Sequence, residues 1–346
     1  MRALVKSAPR PGIDYVTDRP EPELGLGDVR IEVAAASVCG TDRELYEYTP
    51  AAEAFALRFP VTMGHEVSGR VVEIGPGCRG LALGDPVALE SHIACSSCYQ
   101  CRNGRAHNCE RMLLLGLHVD GGFTERMVVP ESTCVRLPPE VSLESGALME
   151  SAGVAMHALQ RSAVEVAGER VLIGGAGPIG LVLVQLARAM GAREVAVVEP
   201  NPFRRELAGR LGAEVLTPED DVASWCRSRS GARHGFDVAF DCSGAAGSLD
   251  TLLQAVRKES VVVAVGLGRH PLSLDVTDTL IKRGITLRGS FGRSLWSTWE
   301  RLAQLVDGGA VDLESMITHR LPLQDFAVAM DLLRGDSCKV LLVPDL

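Results

Sequence analysis

Apolar and polar positions alternate in short runs along the first part of the chain: VRIEVAAASV (29–38), VSGRVVEIG (67–75), DPVALE (85–90) and ERMVVP (125–130), with Gly and Pro turns between them. Period-two alternation puts successive side chains on opposite faces, so these runs predict strands with one buried face. Their succession predicts a β-rich, barrel-like domain. From residue 170 the texture changes. RVLIGG, EVAVVE, FDVAFD and SVVVAVG are mainly apolar, as expected of strands buried on both faces, and helix-like stretches such as GLVLVQLARAMGA and PFRRELAGRLGA separate them. Strand, helix, strand repetition predicts a parallel sheet and an α/β arrangement. After about residue 290 the character is mixed again: a helical WSTWERLAQLVDGG, an extended ITHRLPL, a helix over 324–335 and a terminal strand CKVLLV. This tail is placed to rejoin the first domain.

Composition narrows the function classes. A chain of 346 residues, 46% hydrophobic and 23% charged, exceeds what one core usually organises, so two domains are expected. The formal net charge of −9 and a pI near 5.5, with no concentrated Lys/Arg face, exclude a nucleic-acid binder. The N-terminal MRALVKSAPRPGIDYV lacks the apolar core of a signal peptide, and no apolar stretch approaches the ~20 residues of a membrane helix. The chain reads as cytoplasmic. Its ten cysteines are then reduced thiols, and clustering among them points to metal and not to disulfides.

In VLIGGAGPIGLVLVQLARAMGAREVAVVEP, Gly175, Gly177 and Gly180 form a GxGxxG, with Pro178 and Ile179 inside it, directly after a predicted strand and opening a predicted helix. Gly175 allows the tight turn, Gly177 lets the backbone approach a pyrophosphate, and Gly180 permits close helix packing. The phosphates then meet free N–H groups at a helix N-terminus. Glu199, at the end of the next strand, is placed to accept hydrogen bonds from ribose hydroxyls and to repel a 2′-phosphate, so NAD is expected over NADP. Arg204 and Arg205 keep NADP open, since nearby arginines can accommodate that phosphate.

Cys95, Cys98, Cys101 and Cys109 lie in one loop, ESHIACSSCYQCRNGRAHNCE. Four thiolates fill every position of a tetrahedral ion and leave none for chemistry, which predicts a structural zinc; an iron–sulfur cluster is the rival. A second set is dispersed: Cys39 in SVCGTD, His65 and Glu66 in MGHE, and Glu150 in LMESAG. A thiolate, an imidazole and carboxylates suit a zinc that keeps an exchangeable position, as catalysis requires.

Together these motifs resemble the zinc-containing alcohol dehydrogenase superfamily of medium-chain dehydrogenases. GHEVSGRVVEIG, the four-cysteine loop, DGGFTERMVVP and GAGPIG occur in that family's order along essentially the whole chain. Within it, the chain is most similar to the L-threonine 3-dehydrogenase and sorbitol dehydrogenase branch, through CGTD, ESHIAC, EPNPFR, GRSLWSTW and ITHRLPL. The resemblance implies a GroES-like catalytic domain from 1–154 and 291–346, with a Rossmann NAD-binding domain of doubly wound parallel sheet, 155–290, inserted in it. It implies a secondary alcohol oxidised to a ketone by hydride transfer, with Cys39, His65 and Glu66 at a catalytic zinc, Glu150 as an exchanging ligand and Thr41 in the proton path. It further implies NAD contacts at Ile179, Glu199, Arg204 and Val265, Gly266 and Leu267, with Ser290 and Phe291 near the nicotinamide, and a homotetramer, with a dimer as the alternative.

Two positions depart from the branch. CGTDxH is here CGTDRE, which offers Glu44 where the relay histidine stands. GNAVH is here GVAMH, which puts Val154 in place of a polar Asn. A polyol, sugar or aminocyclitol is therefore the alternative substrate class, and a non-catalytic nucleotide-binding member is a third reading. For an amino-acid substrate Arg293, in FGRSLW, is the candidate for a bidentate grip on the carboxylate. Cys78, Cys134, Cys226, Cys242 and Cys338 read as small packing residues. Trp296 and Trp299 read as packing residues on one face of the late helix. His107 reads as a neighbour of the cysteine loop.

Overall fold

The fold is a computed structural model that describes residues 1–268 and 271–346, and strand counts below refer to these. It divides into two compact units. One comprises Met1–Ser151, Ser294–Asp307 and Leu313–Leu346; the other comprises Ala152–Arg293 and Gly308–Asp312. No helix among the described residues is long and apolar enough to cross a membrane.

The first unit is organised by the ten-residue strand Asp28–Ser37, whose apolar residues Val29, Ile31 and Val33 alternate inward. It pairs antiparallel with Glu66–Ile74, Arg126–Pro130 and Lys339–Leu342, in a sheet completed by Pro86–Leu89, Cys134–Arg136 and Ile317–Leu321. The four alternating runs of the sequence therefore form strands within a residue of their expected limits. Their inward residues, Ile31, Val67, Val87 and Met127 among them, share one core with Phe326 and Leu342 from the tail. The CKVLLV run is that sheet's last strand, with Leu341 opposite Ser37, which itself lies opposite Glu66. The ladder thus brings the end of the chain beside the MGHE segment.

The second unit contains a six-stranded sheet paired in parallel throughout, in the order Glu214–Leu216, Glu194–Val198, Arg170–Gly174, Phe236–Asp241, Val256–Ala264, Thr286–Gly289. Arg170–Gly174 and Phe236–Asp241 are buried at every residue, which explains their mainly apolar character; Asp237, the charge inside the second, is paired with Arg233 and Arg257. The chain builds outward from Arg170–Gly174 in one direction and then resumes on its other side at Phe236–Asp241. That reversal creates a crevice at the carboxyl ends of the strands, the usual ligand position in open α/β sheets.

The tail departs from expectation in detail. The late helix spans Ser297–Asp307, so Trp296 lies outside it and is 39% exposed, whereas Trp299 is 1% exposed. The two tryptophans do not share a packed face. The helix expected over 324–335 is Phe326–Leu332, preceded by a tighter turn at Leu323–Asp325.

Candidate active site and metal centres

Three of the dispersed ligands converge. Cys39 caps the short helix Gly40–Glu47 that follows the central strand. His65 and Glu66 enter the neighbouring strand through Gly64, whose positive φ and contact with Phe123 leave no room for a side chain. One ligand atom from each of Cys39, His65 and Glu66 lies within 4.8 Å of the others. Asp42, fully buried on the same helix, accepts the Cys39 N–H at 2.8 Å and presents its second oxygen 3.6 Å from His65 Nδ1. That distance is too long for a hydrogen bond but well within charge range. Burial disfavours the His65 imidazolium, yet Asp42 and Cys39 together raise its pKa well above the ordinary value.

A polar cluster at this depth needs compensation. Glu66 receives part of it from Lys339, 2% exposed, whose ammonium donates to Glu66 Oε2. Glu66 Oε1 is buried without a hydrogen-bond partner among the described residues. A soft thiolate, an imidazole and an orphaned carboxylate oxygen in one cluster fit a zinc ion.

Glu150 is not part of that grouping of ligand atoms. It is buried in the helix Leu143–Ser162 and its Oε1 accepts from Ser91 Oγ at 2.6 Å. Beside Ser91, the fully buried Glu90 accepts from His92 Nδ1 at 2.8 Å and from Trp299 Nε1 at 2.7 Å. Thr41 is half-buried two residues after Cys39. Glu44, on the same helix, accepts from Thr49 Oγ1.

The four-cysteine loop also closes on itself. Sγ of Cys98 lies 3.5 Å from that of Cys101 and 3.9 Å from that of Cys109, and Cys95 completes the group. Disulfide sulfurs sit at about 2.05 Å, whereas the edge of a tetrahedron with ~2.3 Å zinc–sulfur arms is roughly 3.8 Å. The thiols disagree about charge. Backbone N–H donation at Ser97 and the nearby Arg111 bring Cys95 down to about 5, while burial and its neighbours push Cys101 up to about 12. Four thiolates this close ionise together only around a cation, so the donor set fits a closed zinc site. His107 is half-buried in the same loop.

In the second unit the glycine motif behaves as its spacing requires. Gly175 has φ +94°; a Cβ on Gly180 would fall 2.0 Å from Gly175 O; Gly177 caps the helix Pro178–Ala189 and faces open space. Gly177 is therefore not needed for internal packing, which leaves room for a close-approaching phosphate. Glu199, 4% exposed, accepts from Ala176 N at 2.7 Å and Asn201 N at 2.9 Å. Arg205 donates to the carbonyls of Glu199 and Pro200 at 2.9 and 2.6 Å, and Arg204 N–H is capped by Asn201 at 3.1 Å. Val265, Gly266 and Leu267 follow the end of Val256–Ala264, with Val265 and Gly266 N–H bonded to Asp241 O. Ser290 follows Thr286–Gly289, and its buried hydroxyl has no partner among the described residues; Phe291, next to it, is exposed. Arg293 belongs to this unit and is 1% exposed, lying against Gly153, where a Cβ would come within 2.7 Å of its Cδ.

Residues 25–139 match the alcohol dehydrogenase GroES-like domain family, and residues 178–308 match the zinc-binding dehydrogenase family. The L-threonine 3-dehydrogenase of Pyrococcus abyssi is 39% identical over 99% of this chain and 98% of its own length. The chain belongs to the zinc-dependent medium-chain alcohol dehydrogenases. The L-threonine 3-dehydrogenase of Symbiobacterium thermophilum is 36% identical over 100% of this chain and 98% of its own. Among solved structures, 2R,3R-butanediol dehydrogenase from Bacillus subtilis superposes with a TM-score of 0.90 at 30% identity, covering 99% of both chains.

As a zinc-dependent alcohol dehydrogenase, the protein is an enzyme that acts on a CH–OH group with zinc and a nicotinamide cofactor. Three features of its site escaped the motif reading: Asp42 beside His65, Lys339 on Glu66, and the Glu90 bonds to His92 and Trp299. One signal was available. A lysine inside the apolar run CKVLLV is buried only if paired.

Proposed function

We infer that the enzyme oxidises a small secondary alcohol to a ketone with NAD, and that L-threonine is the substrate. The convergence of Cys39, His65 and Glu66 on one another carries the reaction class; the full-length similarity to L-threonine 3-dehydrogenases supports the substrate. Cys39, His65 and Glu66 hold a catalytic zinc, with Glu150 as the ligand that exchanges, and Cys95, Cys98, Cys101 and Cys109 hold a second, structural ion. Residues 1–154 and 291–346 form the catalytic domain and 155–290 the NAD domain. When bound, zinc supplies Lewis acidity that lowers the pKa of an alcohol, and the nicotinamide accepts hydride.

The chain's own groups do the rest. Thr41 passes the hydroxyl proton outward, with Glu44 as the next acceptor in place of the branch's histidine. Glu199 takes the adenosine ribose hydroxyls. Its carboxylate disfavours a 2′-phosphate, and Arg205, occupied by backbone carbonyls, is drawn away from accommodating one. Gly177 admits the pyrophosphate, Ile179 and Arg204 line the adenosine side, and Val265, Gly266, Leu267, Ser290 and Phe291 serve the nicotinamide side. Arg293 is the partner for a substrate carboxylate. The enzyme works as a cytoplasmic homotetramer, consistent with its free thiols.

A screen of zinc-replete enzyme with NAD and NADP against L-threonine, butane-2,3-diol, sorbitol and inositol, followed at the absorbance of reduced nicotinamide, tests this. L-Threonine with NAD should lead, and Arg293→Met should lower kcat/KM for threonine by about a hundredfold while sparing the diol. Turnover confined to a polyol or cyclitol would refute the threonine reading. It would also make Val154 and Glu44 marks of a different pocket.

A further inference from the structure

Lys339 is a buried cation next to a centre that already expects one. Its strand, Lys339–Leu342, joins the sheet beside Asp28–Ser37, and that strand carries the chain directly into Cys39. Across the next ladder step Ser37 lies opposite Glu66. The ammonium therefore reaches Glu66 from inside the sheet, 2% exposed, against a carboxylate that is fully buried. Sequence places the two 273 positions apart. A lysine that served only to neutralise Glu66 would be expected to satisfy it as fully as geometry allows. Here it holds Oε2 alone, and Oε1 stays buried with no hydrogen-bond partner among the described residues.

The charges can be counted. The Cys39 thiolate and the Glu66 and Asp42 carboxylates contribute three negative charges; a divalent ion cancels two, and the Lys339 ammonium cancels the third, so without Lys339 the buried centre carries one excess negative charge. The Lys339 charge favours the loss of a proton from an alcohol brought there and stabilises the negative oxygen that results, relative to the same centre without it. It also weakens the grip on the metal, because a cation beside a cation repels and a carboxylate shared with an ammonium is a poorer donor.

We propose that Lys339 is a positioning residue that restricts Glu66 to one oxygen toward the metal and keeps the centre from carrying a net negative charge, giving up metal affinity for reactivity. This rests on reading Cys39, His65 and Glu66 as the catalytic zinc site. It predicts an effect of unusual sign. A lysine with a merely structural role would, on removal, loosen the cluster and lower zinc affinity. Under the proposal Lys339→Met leaves a buried carboxylate in want of a cation, so zinc is held more tightly while turnover falls.

The experiment titrates labile zinc in the intact enzyme against a chromophoric chelator, with the visible absorption of the cobalt-substituted protein as a second readout. Lys339→Met is expected to raise zinc affinity about ten- to a hundredfold and to shift the cobalt bands as Glu66 frees its second oxygen. Lys339→Arg should stay near the parent enzyme. Lys339→Gln, whose amide can still donate to Oε2 without carrying charge, should move in the same direction by less, and it carries the test if the Met variant does not fold. Equal or weaker zinc binding in the neutral variants, with unchanged cobalt bands, would overturn the role of Lys339 alone. A parent enzyme that holds zinc only in the four-cysteine loop would overturn the reading of the site itself.

Discussion

Asp42 is placed to prepare a candidate metal ligand from outside the ligand set. One oxygen fixes the Cys39 backbone at 2.8 Å and the other sets a negative charge 3.6 Å from His65 Nδ1, the kind of outer contact that orients a ligating imidazole and raises its basicity. Asp42→Asn keeps a carbonyl for the Cys39 N–H and loses the charge. Zinc affinity at Cys39, His65 and Glu66 should fall about ten- to a hundredfold with the far-UV circular dichroism spectrum unchanged, measured by chelator competition. Unaltered affinity would mean that Asp42 merely caps its helix. At this scale the sequence was legible where chemistry is local. Four cysteines within one loop, and Cys39, His65 and Glu66, stand out by donor type, and the fold brings each set together. Asp42, Lys339 and Glu90 did not stand out because their meaning lies in a contact, and pairs such as Glu90 with Trp299, 209 positions apart, have no spacing to read.

The same contrast separates two glycines of one motif. Gly180 sits in the helix Pro178–Ala189 where a Cβ would fall 2.0 Å from a backbone oxygen, so Gly180→Ala forces the turn and the helix apart. Its cost should appear as stability, about 1–3 kcal/mol, in denaturant unfolding of the cofactor-free protein. Gly177 has φ −68° and open space around its Cα. Gly177→Ala should leave that unfolding curve within about 0.5 kcal/mol of the parent and instead raise the KM for NAD about tenfold or more, because the added methyl stands where the pyrophosphate must approach. If Gly177→Ala destabilised the fold and spared the KM, the loop would be a turn and nothing else. Elements themselves were readable because burial imposes pattern: alternation for strands with one wet face, mainly apolar runs for strands covered on both. Element ends were less so. Trp296 looked like the first residue of the late helix because its apolar ring fits the helical stripe, but the helix starts at Ser297 and the indole is left half-open to solvent.

At the scale of the molecule, the inference that the tail rejoins the first domain needed only that CKVLLV, too apolar to stand alone, find a sheet. Its register, which decides that Lys339 meets Glu66, depends on pairing geometry that no run of residues states. That geometry also separates the two candidate metal centres by what supports each. Cys39, His65 and Glu66 hang on strands whose core, with Ile31, Val67 and Leu342, is formed by apolar packing and exists without an ion. The loop from Cys95 to Cys109 has no comparable core: its buried residues are Cys98 and Cys109 themselves, and most others are exposed. A segment that buries so little would be ordered by a metal, whose binding energy would then be its folding energy. Mild chelation at neutral pH should therefore remove one zinc of two, abolish turnover, leave the β-sheet circular dichroism intact and be reversed by added zinc. A thiol-reactive mercurial should release the second ion, after which limited proteolysis cuts between Cys95 and Cys109 while the sheet survives. Loss of both ions together under mild chelation, or cleavage of the loop at that first step, would contradict this division. It would mean that the open site and the closed one share a single cooperative structure.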